Sequence, residues 1–231
     1  MSSSIQNIYT KVPRTYEFLN HLLTFGQDII WRKKTARIAA SAGGNRWLDA
    51  CGGTGETAGY LSELSPDSTS IVIADFSLPM ILEAMKKPKL KRIQFALSDA
   101  SRLPFQDGSF DLITISFATR NINTSKANLL KCLGEFHRVL KPGGVLVNLE
   151  TSQPRSRLIR RLFHSYVKLT VRPIGQMISG SNTAYAFLSH TIRRFYSAEE
   201  LAEIIREAGF PEVSINYMFL GVAAIHKAEK R

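Results

Sequence analysis

Cysteine is scarce in this chain: Cys51 and Cys132 are the two thiols in 231 residues. Two cysteines rule out a disulfide framework and a cysteine-built zinc site, and they suit a reducing cytoplasm. Long apolar runs are missing too. No stretch approaches the roughly 20 residues a membrane-spanning helix requires, and the opening MSSSIQNIYTKVPRTYEF lacks the apolar centre of a secretory signal. Acidic residues are few beside basic ones, 19 against 30, which leaves a net charge of +11. That excess suits nucleic acid, an anionic membrane surface or plain solubility, and its distribution decides among them. Much of it lies between Arg155 and Arg194. Internal repeats and low-complexity tracts are absent as well.

What the chain does have is enough apolar residues, 44%, to bury one sizeable core, punctuated regularly by Gly and Pro. Residues 5–40 read as helical, with Tyr16, Leu19, Leu22 and Leu23 at helical spacing. Strands are predicted at 46–50, 70–75, 93–97 and 110–117. A helix marked by Leu129, Leu130, Leu133, Phe136 and Leu140 should stop at Lys141-Pro142-Gly143-Gly144, with a strand over 145–149 after it. This alternation predicts a parallel sheet wrapped by helices. Toward the end, Ser197-Ala-Glu-Glu200 is a capping box for a helix with Leu201, Ile204 and Ile205 on its apolar face. Strands at 212–218 and 221–227 would then form a hairpin around Leu220-Gly221. Residues 151–196 form an insertion far longer than the roughly 2–6 residues of an ordinary connection.

The most informative stretch is WLDACGGTGETAGYL, residues 47–61. A short apolar run ends at Asp49, a loop carries Gly52, Gly53 and Gly55, and helix-compatible sequence follows. A strand, a tight glycine turn and a helix bring backbone N–H groups against a polar ligand. Asp75 ends the next apolar run about 20 residues later, where a nucleoside-binding fold places the carboxylate that holds ribose hydroxyls. Gly53-x-Gly55-x-x-Ala58 also satisfies the dinucleotide fingerprint, so a nicotinamide enzyme competes. The spacing Asp49-x-Cys51-x-Gly53-x-Gly55 resembles instead the first motif of class I S-adenosylmethionine (SAM) methyltransferases, with Cys51 at the first glycine.

Further segments carry that resemblance. Ser98-Asp-Ala-Ser-Arg-Leu-Pro-Phe-Gln-Asp-Gly-Ser-Phe-Asp111 is similar to an element of many such enzymes. Ile113-Thr-Ile-Ser-Phe-Ala-Thr-Arg-Asn121 resembles the narrower signature of the ubiquinone/menaquinone-biosynthesis C-methyltransferases. Val139-Leu-Lys-Pro-Gly-Gly144, Leu149-Glu-Thr-Ser-Gln-Pro154, Arg172-Pro-Ile-Gly175, Ala208-Gly-Phe210 and, near the start, Tyr16-Glu17-x-x-Asn20 are similar to other segments of that family, in order. The chain departs from the pattern at Glu17, at Ala118, at His190 and in the shifted Thr57-Ala58.

The resemblance implies a Rossmann-like α/β fold of class I SAM methyltransferase type. Its sheet is mostly parallel with a C-terminal antiparallel hairpin, and helices cover both faces. It implies one domain over 1–231, divided into a helical lid (1–40), a SAM-binding core (41–150), the insertion (151–196) and a C-terminal helix and hairpin (197–231). It implies SAM as methyl donor and a lipophilic quinol as substrate, with no metal; methylation of another lipophilic phenol or small metabolite, or a SAM-binding scaffold without turnover, is the alternative. Asp49, Gly53, Gly55 and Thr57 would border the cofactor's methionine end, Asp75 its ribose, and Asp99 and Ala100 its adenine, with Ser116 nearby. Arg120 and Asn121 would be catalytic, unless they merely end the fourth strand and pair with Asp111 or Glu150. Tyr9, Tyr16 and Asn20 would belong to the lid, where helix packing is the competing role for the tyrosines. His164 and His190 are alternative proton acceptors, against the commoner role of surface residues.

The insertion opens as a basic amphipathic helix. Leu158, Ile159, Leu162, Phe163 and Tyr166 are read on one face, and Arg157, Arg160, Arg161, His164 and Lys168 on the other. Such a helix over 155–172 suits a peripheral position on anionic lipid at the cytoplasmic membrane face, or else a core contact with a solvated charged face. Nucleic acid is not expected, because aromatic and basic residues do not interleave for base stacking. A homodimer stays open.

Overall fold

The computed structural model describes residues 13–179 and 182–231. Two helices come first, α1 (Pro13–Leu23) and α2 (Gln27–Ala40). The predicted helical stretch is thus broken, at Phe25 and Gly26, whose φ values of 51° and 73° lie in the left-handed region. Gly26 takes that conformation without steric cost, and the break lets the chain turn back on itself. The alternating part follows: β1 (Arg46–Ala50), α3 (Glu56–Leu64), β2 (Ser70–Asp75), α4 (Leu78–Met85), β3 (Gln94–Leu97), β4 (Phe110–Ser116), α5 (Thr119–Ile122), α6 (Lys126–Val139) and β5 (Leu140–Thr151). The insertion is two helices, α7 (Arg157–Ser179) and α8 (Asn182–Arg194). The chain closes with α9 (Ala198–Glu207), β6 (Glu212–Met218) and β7 (Ala223–Glu229).

The strands form one sheet in the order β3-β2-β1-β4-β5-β7-β6. The pairs β1/β2, β1/β4, β2/β3 and β4/β5 are parallel, and β7 runs antiparallel to both β5 and β6. The mostly parallel sheet with a terminal hairpin is therefore present. The hairpin connection lies at Phe219–Gly221, and β7 starts two residues later than read, because Phe219, Leu220 and Gly221 all take positive φ in the turn. β5 also begins earlier, at Leu140. Lys141-Pro142-Gly143-Gly144 becomes a register break between the Phe110/Leu140 and Leu112/Val145 pairs, and Gly143 donates 2.7 Å to the Lys230 carbonyl.

β1, β2 and β4 are buried on both faces, which is why they read as continuous apolar runs. Leu48, Ile113, Ile115 and Leu146 pack on one side against Leu133 and Phe136 of α6 and Leu201 and Ile205 of α9. Trp47, Ile73, Leu112 and Val147 pack on the other against Trp31, Ala36 and Leu61. Each fully buried large side chain contributes about 1.5–3 kcal/mol. The capping box of α9 is present: the Ser197 hydroxyl accepts from Glu200 N at 3.2 Å, and the Glu200 carboxylate accepts from Ser197 N at 2.7 Å. A third cluster joins α1 to the insertion, with Leu19 and Leu23 against Val167, Val171 and Ile192. Strand order reverses between β1 and β4, so the carboxyl ends of β1, β2 and β4 open on a common crevice.

Candidate functional site

The crevice is a cleft of about 550 Å³, open to solvent, and its floor is the loop between β1 and α3. Gly52 is required there, because a Cβ would sit 2.8 Å from Asp49 Oδ2 and 3.0 Å from Ile73. Cys51, at the place of the first glycine in the resembled motif, is held at φ 53°, a conformation that strains any residue with a Cβ. Cys51 is half-buried and lines the cleft, and desolvation pushes its thiol above the ordinary range. Phe117, just past β4, is also left-handed at φ 56°, and lines the same cleft. Strained backbone on two sides of one cavity is characteristic of a site whose shape matters.

Two buried carboxylates serve the loop. Asp75 accepts from Gly53 N (2.9 Å) on one oxygen and from Ser77 N (2.8 Å) on the other, and the Phe76 backbone N–H also favours its charged form. Asp49 accepts 2.7 Å from the Thr114 hydroxyl on Oδ1, while its buried Oδ2 has no hydrogen-bond partner among the described residues. Desolvation raises both carboxyls to about 6; the Thr114 hydroxyl at Asp49 and the Ser77 and Gly53 amides at Asp75 work against it.

Behind the loop lies a polar network that the sequence reading missed. Arg32, buried on α2, donates 3.0 Å to the Thr57 hydroxyl, and Thr57 in turn donates 3.0 Å to Ser116 Oγ. The Arg32 guanidinium also lies over the Phe117 ring at 5.0 Å and 3.4 Å from Glu56 Oε2. His21 of α1 spans two carboxylates, with Nδ1 2.7 Å from Asp28 and Nε2 3.4 Å from Glu56. His21, Asp28 and Glu56 have the composition of a metal site, but here the Arg32 cation already stands beside Glu56. No local motif announces these residues. The available signal was a basic residue next to Trp31 inside a helix that also has to bury an apolar side.

Of the residues read from sequence, Gly53, Asp75, Ser116 and Asn121 line the cleft, together with Arg32, Glu56 and Phe117. Asp49, Gly55 and Thr57 support it from beneath. Gly55 caps α3 at φ 79°, where a Cβ would strike Leu90 at 2.6 Å. Asp99 and Ala100 follow β3 outside the cleft lining; Asp99 accepts 2.8 Å from Ser101 N, and Ala100 is in the core. Asn121 lies against Phe117, its amide 3.4 Å from that carbonyl. Arg120 is buried and turned toward Glu150: Nη1 donates 2.5 Å to Oε1, and its backbone N donates 3.1 Å to Oε2. The pairing with Glu150 weighed from the sequence is therefore present, whereas Asp111 bonds Lys141 at 2.6 Å. Asn20 is half-buried on α1, Tyr9 lies outside the described residues, and so does the side chain of Tyr16. His164 bonds Gln153 at 2.7 Å, and His190 is exposed.

The model of the ubiE/COQ5 methyltransferase family matches residues 1–230. The chain belongs to that family. It is 37% identical over 227 residues to a demethylmenaquinone methyltransferase of Thermus thermophilus, covering 96% of this chain and all of that protein. It is 33% identical to a ubiquinone/menaquinone biosynthesis C-methyltransferase of Desulfotalea psychrophila, over 96% of this chain and 88% of the other. Among solved structures, a SAM-dependent methyltransferase from Thermotoga maritima superposes with a TM-score of 0.69 at 19% identity, covering 98% of this chain and all of that one. The enzyme is a SAM-dependent methyltransferase of class I fold, which sets aside the nicotinamide reading. The cleft offers groups of the kind the donor would need: the partnerless Asp49 oxygen beneath a loop that Gly52 keeps open, and the Arg32 guanidinium in the wall.

Proposed function

We propose that the enzyme methylates a ring carbon of a reduced polyprenyl quinone precursor, demethylmenaquinol, to give menaquinol. The observation that carries this reading is the name shared by relatives at 37% and 34% identity over 96% and 98% of the chain, demethylmenaquinone methyltransferase. SAM supplies, when bound, an electrophilic methyl group on a sulfonium. Asp49 and Glu56 would receive the ammonium of its amino-acid end and Arg32 the carboxylate, while Gly53 and Gly55 would let the backbone approach. Asp75 would accept from the ribose hydroxyls, and Asp99 with Ala100 would border the adenine. Thr57 ties Ser116 to Arg32 and so fixes both edges of the cleft.

On the substrate side, a ring carbon becomes a competent nucleophile once an adjacent hydroxyl loses its proton. Arg120 keeps its charge at any working pH and cannot be the base. Its guanidinium, held by Glu150, stabilises the developing phenolate, and Asn121 presents its amide to the hydroxyl. The carbon–carbon bond would form as the carbon–sulfur bond breaks, leaving S-adenosylhomocysteine, and the protons lost from the hydroxyl and from the ring carbon would pass to water in the open cleft. The same reading makes the enzyme cytoplasmic, supported by its sparing use of cysteine, and peripheral to the membrane that holds its substrate. Comparing kcat/KM on chemically reduced demethylmenaquinone with that on a benzoquinol precursor tests the ring preference. A preference for the benzoquinol would overturn it.

A further inference from the structure

Helix α7 carries more apolar surface than its contacts among the described residues cover. Its inward row, Phe163, Val167, Val171 and Ile174, packs on Leu19, Leu23 and Ile192. This corrects the amphipathic reading of the insertion, because the apolar residues split between two faces. Leu158, Leu162 and Leu169 recur at steps of four and seven on the outward face, 67%, 63% and 71% exposed. Phe25, 80% exposed, lies with its ring tilted 39° and 5.9 Å from that of Tyr166, whose hydroxyl donates 2.8 Å to the Leu23 carbonyl. About a quarter-turn away runs a second exposed row, Arg157, Arg161, Lys168 and Arg172. Arg160 and His164, expected on that row, turn inward instead: Arg160 donates 2.9 Å to the Pro154 carbonyl, and His164 meets Gln153.

Charge identifies the occupant. Between Glu150 and Glu199 the chain has eight Arg and Lys and no Asp or Glu. An apolar row beside a wholly basic one matches the boundary between acyl chains and anionic headgroups. We propose that this face lies on an anionic phospholipid bilayer, with Phe25, Leu158, Leu162 and Leu169 in the acyl boundary and the basic row on the phosphates. The placement is also economical for catalysis. Phe25 follows α1, and one turn earlier His21 of that helix touches Glu56 at the cleft, so the docked face and the cleft share a short segment. The proposal extends the reading above to where the lipophilic substrate is met. It is tested without substrate, so its failure leaves ring methylation standing.

The test is co-sedimentation of the full-length protein with vesicles of phosphatidylcholine alone or mixed with phosphatidylglycerol. Binding should require phosphatidylglycerol and weaken with salt. Arg157→Ser, Arg161→Ser and Lys168→Ser together should cost on the order of 100-fold in affinity, at roughly fivefold per cation. Leu158→Ser, Leu162→Ser and Leu169→Ser together should cost at least about tenfold. These are exposed positions, and unchanged S-adenosylhomocysteine binding confirms that each variant is folded. Equal binding to both vesicle types, or a leucine variant that binds as wild type does, would overturn the proposal.

Discussion

Asp75 in the sheet and His21 in the helices beside it are both held by hydrogen bonds, but the partners differ in kind. Asp75 is gripped by backbone N–H groups of Gly53 and Ser77, at the ends of strands whose order is fixed by the sheet. His21 is gripped by the carboxylates of Asp28 and Glu56, side chains that meet because three helices pack together. A group bonded to backbone at a strand end leaves a spacing that can be recognised in a sequence. A group bonded to distant side chains leaves none. The two kinds of anchoring should also fail differently when cut.

The largest effect is expected where both kinds of bond converge. Glu150 holds the Arg120 side chain and also its backbone, within the sheet and with no exposure. Glu150→Gln should destabilise the protein by about 3–5 kcal/mol, the cost of removing one charge from a buried ion pair. Denaturant midpoints would measure this, and a loss comparable to a surface substitution would mean the pair is dispensable. The double change Arg120→Met with Glu150→Met should recover much of the stability and none of the turnover.

Asp49→Asn separates folding from binding. Burial raises the Asp49 carboxyl from 3.8 to about 6, so between these values the folded protein holds a proton that the unfolded chain has released. Stability from this group therefore falls as pH rises through that window, and the penalty is complete above it. Asparagine removes the penalty, so the variant should gain stability over wild type at pH 7, by up to about 3 kcal/mol, and little at pH 4. Its affinity for S-adenosylhomocysteine, which keeps the ammonium, should drop about 50-fold at pH 7. Wild-type affinity should itself decline below about pH 6, where the Asp49 and Asp75 carboxyls gain protons. Calorimetry at several pH values checks both signs, and a pH-independent affinity would remove Asp49 from the donor site.

His21→Ala tests the covering layer. Losing side-chain bonds at its edge should weaken S-adenosylhomocysteine binding by about threefold to tenfold without unfolding the core. An effect as large as that of Asp49→Asn would erase the distinction between the two regions. The smallest change is expected at Cys51. Glycine there relieves a left-handed residue, offset partly by backbone entropy, for a gain of about 0.5–1 kcal/mol. A loss on thermal unfolding would show that the thiol's packing outweighs the strain.

The same contrast explains what could be read in advance. The strands, the glycine loop, Asp75 and the capping box of α9 follow from local period, turn chemistry and spacing, and the structure places them within a residue or two, except that β5 starts five residues early at Leu140. Ser116 and Asn121 were legible because a strand end in this fold faces its ligand. Arg32, Glu56, His21 and Asp28 were not, since their partners come from separate helices. The outward face of α7 was half legible. Periodicity shows apolar and basic rows, but it does not show that Val167 and Val171 satisfy α1 and leave Leu158, Leu162 and Leu169 exposed.

The central claim is methyl transfer to ring carbon at the cleft bordered by Ser116, Phe117 and Asn121. The most direct measurement is a mass-spectrometric assay with isotopically methyl-labelled SAM and chemically reduced short-chain demethylmenaquinone, with the label located by fragmentation. The expected result is one labelled methyl on ring carbon, lost in Arg120→Ala while S-adenosylhomocysteine still binds. Label on oxygen, or no product from a protein that binds S-adenosylhomocysteine tightly, would contradict it.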